Sequence, residues 1–308
     1  MNSQRTHTAR PDTPATSARR TLLLVGALER KNLADEAERL RAEIEKRADV
    51  VVRDLDAGDS LEEVAFDVAV VLGGDGSILR AAHLMGRRQR PVIGVNLGKL
   101  GFLADLAPKE FCAQLPAITA GKLPVVEHLM YECRVVRGQK TVEEWLGLNE
   151  VAVLAGPPFA LLDVDLYVDA ELVTTYSCDG LIVSTPVGST AHSLSSGGPI
   201  LRQDLQAFVI SPISPHTLTN RPVVDSASRV YELVVREPHE GTSVVADGRL
   251  LARVEPHDRV RIERSAARFQ LVSMPGHSYY HTLREKLGWG GKIGGKAEGR
   301  GQKAEESG

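Results

Sequence analysis

One segment decides the fold of this chain, DVAVVLGGDGSIL at residues 67–79. It begins with an apolar run from Val68 to Leu72, which is typical of a strand buried on both faces of a parallel sheet. A glycine turn follows, and a helical pattern begins at Ser77. Strand, glycine turn and helix in this order predict a ligand site at the carboxyl end of the strand, because open α/β sheets bind their ligands there.

The same alternation of apolar runs and helical periods extends from residue 21 to residue 124. It predicts an α/β N-terminal domain with βαβ units around a doubly wound parallel sheet. The apolar runs are Leu22–Val25, Val50–Val52, Val68–Leu72 and Val92–Val95. The helical periods cover residues 32–47, 77–85 and 108–118.

Beyond residue 124 the apolar period changes from 3.6 to 2, most clearly in LDVDL at residues 162–166. This change predicts a β-rich C-terminal domain over residues 125–275. Helical spacing returns at residues 276–289, and we expect that helix to pack back on the first domain. The two ends, residues 1–20 and 290–308, are rich in small polar and charged residues, so we expect disordered tails there.

Composition excludes several classes of function. The formal net charge of the 308 residues is −3 and the basic residues are scattered, so neither a nucleic acid nor a membrane surface is expected as a partner. The three cysteines lack zinc-finger or CxxC spacing, which favours reduced thiols in a cytoplasmic protein. Arg19-Arg20 before a short apolar run superficially resembles an export signal, but acidic and basic residues follow at 29–31 instead of a cleavage site.

The glycine turn at residues 73–76 has the composition of a phosphate-binding loop. Gly73, Gly74 and Gly76 carry no side chain, so backbone N–H groups can approach phosphate oxygens, and the N-terminus of the following helix favours an anion. Asp75 could accept a hydroxyl proton during phosphoryl transfer. The alternative is that Asp75 only caps the helix. Arg80, one turn into the helix, could reach a phosphate or simply be solvated.

A second segment, DGLIVSTPVGSTAHSLSSGGP at residues 179–199, combines a strand, a Pro-x-Gly turn, several hydroxyl residues and a histidine. Small hydroxyl side chains can hydrogen-bond a ribose, an amide or a base edge without blocking a flat ligand, so the segment favours a binding site. The alternative is a serine-rich surface loop. The chain has no GxxxxGK[ST] segment and no GxGxxG after its first strand, which excludes a P-loop kinase and an ordinary dinucleotide-binding dehydrogenase.

Five segments together resemble the bacterial NAD kinase family, in the family's order and near its spacing, over about residues 22–288. They are GGDG at 73–76, NLGKLGFL at 96–103, Asn149-Glu150, the segment 179–199, and SPHTL at 214–218 through Arg221-Pro222. The resemblance implies that Asp75 takes the proton from the adenosine 2′-hydroxyl of NAD. It also implies that Asp179 reaches a neighbouring subunit's ligand, so that the complete site needs a homo-oligomer.

The resemblance further implies contacts with the dinucleotide at eight positions, namely Gly76, Phe102, Asn149, Glu150, Thr190, Ala191, His192 and Ser195. Several positions depart from the family pattern: His192 replaces a frequent tyrosine, Val187 a threonine, and Ala160 and Ser177 basic residues. Arg249, which we also expect to contact the ligand, stands where a polar amide can occur. The selectivity between NAD and NADH is therefore left open.

The sequence thus predicts an NAD kinase that uses ATP, or polyphosphate, as the phosphate donor. A divalent cation such as Mg²⁺ is expected to arrive with ATP, and no dedicated metal site is predicted, because His277 and His281 lack the carboxylate pattern of a helical zinc site. Two alternatives remain: a lipid or sugar-phosphate kinase with a GGDG turn, and a non-catalytic dinucleotide sensor.

Overall fold

The computed structural model describes residues 19–98, 100–216 and 221–288; almost all of both predicted tails lies outside these ranges. The first part of the chain contains four strands and three helices. The strands are β1 (Thr21–Gly26), β2 (Asp49–Asp54), β3 (Val68–Leu72) and β4 (Val92–Val95). The helices are α1 (Lys31–Glu45), α2 (Asp75–Leu84) and α3 (Pro108–Thr119).

These four strands are parallel and lie in the order β2-β1-β3-β4. Alternate residues of β1 point to opposite faces, since Leu22 packs with α1 and α3 whereas Leu23 packs with α2. Helices therefore cover both faces, and the predicted doubly wound α/β arrangement is confirmed. It places the residues after β3 and those after β4 side by side at one edge of the sheet.

The amphipathic pattern of α1 explains its position on the sheet. Its buried residues recur at the spacing of one helical face and are Leu33, Ala37, Leu40 and Ile44. Helix α3 begins with Pro108, whose missing N–H costs nothing at a first helical position. The Glu110 carboxylate accepts the N–H of Ala107 at 2.8 Å and closes that end of the helix.

The second part of the chain is built from strands and two short helical segments. The strands are β5 (Val125–Arg137), β6 (Lys140–Gly147), β7 (Glu150–Leu154), β8 (Leu162–Val168), β9 (Glu171–Cys178), β10 (Gly180–Ser184), β11 (Ala207–Ile213), β12 (Val223–Ser226), β13 (Tyr231–Val235), β14 (Ser243–Ala246), β15 (Arg249–Arg253) and β16 (Arg259–Val272). A 3-10 turn (Gly188–Thr190) and the helix α4 (His192–Ser195) follow β10. The predicted β-rich C-terminal part is confirmed.

Two sheets organise these strands in the described ranges. A six-stranded antiparallel sheet has the order β12-β11-β10-β7-β14-β15. The other sheet continues the parallel sheet of the first part, because β16 pairs with β4 in parallel at Leu271 and Val92. It has ten strands in the order β2-β1-β3-β4-β16-β13-β8-β9, with β5 paired to β16 and β6 paired to β5. Backbone hydrogen bonding therefore crosses the change of pattern near residue 124 and joins the glycine turn to the β-rich part.

The last helix, α5 (Tyr279–Leu287), packs back on the first part of the chain, as the sequence predicts. Just before it, His277 Nδ1 lies 3.0 Å from Asp105 Oδ2 in the loop after β4. The Tyr279 hydroxyl donates to the carbonyl of Leu201 at 2.8 Å. Helix α5 is thus anchored to both parts of the chain, and its own residues Thr282 and Leu283 are buried.

Gly94 in β4 allows α2 and the loop after β4 to pack closely on this strand. A Cβ atom at this position would stand 2.6 Å from Ile78 Cδ1 and 2.7 Å from Ala104 Cα. We expect Gly94→Ala to lower the free energy of unfolding, measured by urea denaturation, by about 1–3 kcal/mol because the overpacked backbone must shift.

Gly98→Ala is the matched control for this change. Its Cβ would meet only Asn96 Oδ1, at 3.8 Å. We expect its free energy of unfolding to stay within about 0.5 kcal/mol of the wild-type value. Equal stability of the two variants would contradict the packing argument.

Candidate active site

The carboxylate of Asp75 is held by the backbone of the loop after β4. Asp75 is the first residue of α2, and its Oδ1 accepts the N–H groups of Leu103 and Ala104 at 2.9 and 3.0 Å. Its Oδ2 accepts the N–H of Phe102 at 2.8 Å. No side chain caps α2, and the carboxylate points across to this loop instead of back along its own helix. The capping role that was the alternative for Asp75 is therefore wrong.

The loop can approach Asp75 because Gly101 has no side chain. A Cβ on Gly101 would collide with the Asp75 carboxylate. The N–H of Gly101 donates to the carbonyl of Ala104 at 2.8 Å, which folds residues 101–104 into a tight turn with its amides facing inward. Sequence reasoning did not single out Gly101, although it lies within the quoted NLGKLGFL segment.

The glycine turn itself is open to a ligand. Gly74 and Gly76 are exposed, and apart from the adjoining backbone no atom of the described residues lies within 4 Å of where their Cβ atoms would stand. Gly73 has φ of +138°, a backbone conformation that favours glycine. The first amides of α2 have no intrahelical acceptor, as at any helix N-terminus. The turn can therefore present N–H groups to phosphate oxygens at close range.

Arg80 lies on the next turn of α2, and Asp56 already engages it. Arg80 Nη1 is 2.7 Å from Asp56 Oδ1, in the loop after β2, and both side chains are about one third exposed. The residue therefore lies at the same edge of the sheet as the glycine turn. Its guanidinium is committed to a carboxylate in this structure.

The Asn149-Glu150 turn is organised by a second carboxylate, that of Asp247. Asp247 Oδ1 accepts the N–H groups of Asn149 and Glu150 at 2.8 and 3.1 Å, and Oδ2 accepts that of Leu148 at 2.8 Å. The Tyr131 hydroxyl lies 2.9 Å from Asp247 Oδ1 and 2.8 Å from the carbonyl of Glu150. Burial raises the pKa of Asp247, while these hydrogen bonds act in the opposite direction. Sequence reasoning missed Asp247. The Asp-Gly pair at 247–248 indicates a hairpin turn there but gives no hint of the bonds that the carboxylate makes.

Glu150 is a buried acid with an unused acceptor. Its side chain is 7% exposed, and its Oε2 has no hydrogen-bond partner among the described residues. Burial, together with the nearby charge of Asp247, raises the pKa of Glu150 to about 8, against which the backbone N–H of His192 acts. A buried polar atom without a partner is costly, so a ligand that donates a hydrogen bond to Glu150 would be favoured.

The segment after β10 packs directly on this turn. The Thr185 hydroxyl donates to the carbonyl of Leu148 at 2.5 Å, and a Cβ on Gly188 would collide with the carbonyl of Asn149. Leu148 and Val187 belong to the same apolar cluster as Ile78 of α2. Through this cluster the Asn149-Glu150 turn and the segment after β10 come to lie against the helix that begins at Asp75.

The hydroxyl groups of the segment serve two different purposes. Ser189 and Ser193 are buried and bond within the protein: the Ser189 hydroxyl accepts the N–H of Leu201 at 2.9 Å, and Ser193 Oγ lies 3.1 Å from Ser211 Oγ. The Thr190 hydroxyl donates to the carbonyl of Val187 at 3.0 Å. The expected ligand contacts outside this inner network are half-buried Ala191 and exposed His192 and Ser195.

Of the two remaining predicted positions, Asp179 lies apart from this centre and Arg249 lies near it. Asp179 is exposed just before β10, whereas Thr185 follows the strand's other end, so the two residues are about 20 Å apart along the strand. The structure does not bring Asp179 to Asp75 within one chain. Arg249 is exposed on the hairpin that carries Asp247, two residues beyond it, and so lies near the Asn149-Glu150 turn.

Phe102 forms a wall between the glycine turn and the returning helix. The ammonium group of Lys286 lies 4.4 Å from the centre of the Phe102 ring. Phe102 and Leu103 also line a cavity of about 320 Å³ that extends under the start of α5 toward His128 and Gln203. The turn that holds Asp75 is therefore contacted by groups from both parts of the chain.

Removing the charge of Glu150 should change how stability depends on pH. In the unfolded chain the carboxyl ionises near 4.5, but in the folded protein only near 8. Raising the pH through this window therefore destabilises the wild type, and the penalty is complete above the folded pKa. We expect Glu150→Gln to gain about 4 kcal/mol in free energy of unfolding relative to wild type between about pH 5 and about pH 9.

Urea denaturation of the ligand-free protein at several pH values measures this difference. Glu143→Gln removes an exposed acid of β6 and is the matched control, for which we expect a pH-independent difference. A Glu150→Gln difference that did not grow with pH would contradict the raised pKa.

Comparisons with known proteins agree with this geometry. Residues 19–123 match the family model described as the ATP-NAD kinase N-terminal domain, and residues 148–274 match the ATP-NAD kinase C-terminal domain. The chain is 50% identical over 272 residues to the NAD kinase of Rhodopirellula baltica, covering 88% of each chain. It is 41% identical to the NAD kinase of Shewanella woodyi, covering 74% of this chain and 78% of that one.

Solved structures are similar as well. The crystal structure of an NAD kinase from Archaeoglobus fulgidus in complex with ATP has a TM-score of 0.70 and 28% identity, covering 87% of this chain and 97% of that one. Yeast NADH kinase complexed with NADH has a TM-score of 0.78 at 20% identity over 94% of each chain, a likeness of fold. The family models together cover most of the sequence. The chain belongs to the NAD kinase family.

Proposed function

We propose that this phosphotransferase of the NAD kinase family moves the terminal phosphoryl group of ATP to the adenosine 2′-hydroxyl of NAD, with Asp75 as the proton acceptor. The observation that carries the role of Asp75 is the docking of its carboxylate on three backbone N–H groups. That docking aims the carboxylate beside an open glycine turn suited to phosphate. A base and a phosphate site side by side are what hydroxyl phosphorylation needs.

The hydrogen bonds of Asp75 indicate which oxygen takes the proton. Oδ1 accepts two N–H groups, whereas Oδ2 accepts one. Since a carboxylate oxygen has two lone-pair sites, Oδ2 keeps one available. In the proposed step the 2′-hydroxyl gives its proton to Oδ2 and its oxygen bonds to the γ-phosphorus. The bond between that phosphorus and the β,γ-bridging oxygen breaks, and ADP leaves with the bonding electrons.

The Asn149-Glu150 turn is proposed to recognise NAD. With its pKa raised to about 8, the Glu150 carboxyl is protonated near neutral pH. One of its oxygens can then donate a hydrogen bond to the adenosine while the other accepts one. Asn149 beside it adds an amide, and Thr190, Ala191, His192 and Ser195 are proposed to contact the rest of the dinucleotide. Arg249 is proposed to lie at the rim, with Phe102 as the apolar wall.

The phosphate donor is proposed to bind at Gly73, Gly74 and Gly76 together with Mg²⁺. Among the described residues no group of three or more His, Cys, Asp or Glu side chains could hold a metal ion. The ion's ligands would therefore be phosphate and water oxygens, which suits Mg²⁺. Its contribution would be to neutralise charge on the donor phosphates. Arg80 would bind a donor phosphate only if its guanidinium gave up the ion pair with Asp56.

The cytoplasm is proposed as the location of the enzyme. The three cysteines Cys112, Cys133 and Cys178 are free thiols, which is usual in a reducing compartment. None of the helices in the described ranges is long and apolar enough to span a bilayer.

A substrate panel separates NAD phosphorylation from the alternatives. The purified protein is given ATP and Mg²⁺ with NAD, NADH or diacylglycerol, and NADP or NADPH is detected by an enzymatic assay. We expect product with NAD. Phosphorylation of the lipid alone would overturn the proposal, and binding of NAD without turnover would indicate a sensor. Replacing ATP with polyphosphate tests the donor.

Replacing Asp75 with Asn tests the proposed base. We expect kcat to fall by about 10³–10⁴-fold while the Kd for NAD stays within about threefold, because a general base contributes only to the chemical step. The new Asn Nδ2 would face the Phe102 N–H, donor against donor, so the thermal midpoint is measured alongside. Asp59→Asn, an exposed acid after β2, is the control. Turnover of Asp75→Asn near the wild-type rate would exclude Asp75 as the base.

We also propose a homo-oligomer in which Asp179 completes a neighbouring subunit's site. The position of Asp179 supports this, because it lies far from Asp75 in its own chain. The second part of the chain also exposes apolar side chains: Phe159 is 74% exposed, and Val173 on the edge strand β9 is 57% exposed. Val223 and Val224 on the edge strand β12 are also exposed. Apolar edges of this kind favour a subunit interface.

Mixing two inactive variants tests the shared site. We expect Asp75→Asn and Asp179→Ala each to lose activity as pure proteins. Co-refolded in equal amounts as dimers, they should recover about one quarter of wild-type activity, since half of the dimers are mixed and each mixed dimer has one intact site. A mixture no more active than its components would show that Asp179 acts within its own chain or not at all.

A further inference from the structure

Lys286 lies beside Asp75, the proposed proton acceptor. Its ammonium nitrogen is 3.9 Å from Asp75 Oδ2, the oxygen with the free lone pair, and both side chains are about 30% exposed. The same nitrogen lies over the Phe102 ring at 4.4 Å from the ring centre. Lys286 belongs to the last turn of α5, so a residue from the far end of the chain reaches the glycine turn.

The position of Lys286 follows from the anchoring of α5. The Ser278 hydroxyl accepts the N–H of His281 at 3.1 Å and caps the helix. Leu283 is 2% exposed, and Lys286 lies three residues further on, on the same face of the helix. The contact of His277 with Asp105 ties the start of the helix to the loop that carries Phe102. The ammonium group is therefore delivered by a helix that is fixed at both its cap and its buried face.

The distance between Lys286 and Asp75 shows that the ammonium is held beside the carboxylate without a hydrogen bond to it. At 3.9 Å the contact is beyond hydrogen-bond length. The Phe102 ring attracts the ammonium through its face, an interaction that requires no hydrogen-bond acceptor. The cation can therefore turn to an anionic ligand without breaking a hydrogen bond to Asp75.

We propose that Lys286 binds the transferring phosphoryl group of the donor and stabilises the charge that develops on it. This inference rests on the proposed phosphoryl transfer. Such transfer requires cations at the phosphate oxygens, and the glycine turn of this chain is not followed by the lysine of a P-loop. Arg80, the basic residue on the helix after the turn, is paired with Asp56. Lys286 supplies the positive charge from the opposite side of the turn.

In the proposed step Lys286 stays protonated throughout. Its ammonium donates to a non-bridging oxygen of the γ-phosphoryl group, while the 2′-hydroxyl proton moves to Asp75 Oδ2. Because the ammonium makes no hydrogen bond to Oδ2, that oxygen stays open to the proton throughout. Phe102 acts as a positioning residue, because its ring fixes where the ammonium lies before the donor binds.

A purely structural role for Lys286 predicts something different. Basic residues at a helix C-terminus stabilise the helix dipole, and Arg284 in the same turn has this property as well. Arg284 is exposed, so Arg284→Met removes the same charge from the same helix end and is the matched control for Lys286→Met.

The experiment compares Lys286→Met, Lys286→Arg and Arg284→Met with wild type. For Lys286→Met we expect kcat/KM for ATP to fall about 10³-fold, with the Kd for NAD within about twofold of wild type. Lys286→Arg should have a kcat/KM for ATP at least about tenfold higher than that of Lys286→Met, because it restores the charge with a different donor geometry. Arg284→Met should stay within about twofold of wild type in each constant.

Binding of inorganic tripolyphosphate, measured by calorimetry, gives a readout independent of turnover. We expect Lys286→Met to weaken it at least about tenfold with an unchanged thermal midpoint. The proposal is overturned if Lys286→Met binds tripolyphosphate like wild type, if it keeps kcat/KM for ATP within about threefold, or if Arg284→Met loses as much. Failure of the wild type to form NADP would refute the proposed function, while the tripolyphosphate result would still decide whether Lys286 binds phosphate.

Discussion

The docking of one carboxylate on three consecutive backbone amides is the contact on which the site depends. Asp75 can be held only if the loop after β4 turns its N–H groups toward the start of α2. That requires β3 and β4 to be adjacent parallel strands, Gly101 to lack a side chain, and Gly94 to let the loop lie close to Ile78. An anion surrounded by amides needs no counter-ion to be stable, and its position is set by backbone geometry alone. The carboxylate is thereby oriented before any substrate arrives.

The Asp247 carboxylate is likewise held by backbone N–H groups, but its role is structural. It too accepts three consecutive backbone N–H groups, those of residues 148–150, and so shapes the turn that presents Asn149 and Glu150. Asp75 remains about 30% exposed at an open glycine turn, whereas the Asp247 carboxylate is desolvated by burial and has the Tyr131 hydroxyl as a further donor. The difference in access to solvent separates a carboxylate that can exchange a proton with a ligand from one that holds the backbone.

The two turns keep a constant relation because several contacts join the two parts of the chain, and three of them are of different kinds. Strand β16 pairs with β4, Leu148 and Val187 pack with Ile78, and α5 contacts the loop after β4. Each link uses a different interaction: backbone hydrogen bonds, apolar packing and a polar side-chain pair. A site assembled from distant segments needs such links, since small displacements of reacting groups cost much of their effect on rate.

Hydrophobic periodicity in the sequence was enough to determine the α/β fold of the first part, the β-rich second part and the helix at Tyr279–Leu287, because burial of alternating faces is a local property of the pattern. The short glycine turn likewise identified Asp75 as the residue to examine. The partners of Asp75, the role of Asp247 and the approach of Lys286 were decided only by the tertiary structure. Each joins residues far apart in sequence, so no local pattern records it. Of the hydroxyl residues after β10, Ser189 and Ser193 support the backbone whereas Ser195 is exposed, and only packing distinguishes them. The sequence determined which chemical groups are present, and tertiary structure decided which of them meet, because contacts between distant segments depend on the path of the whole chain.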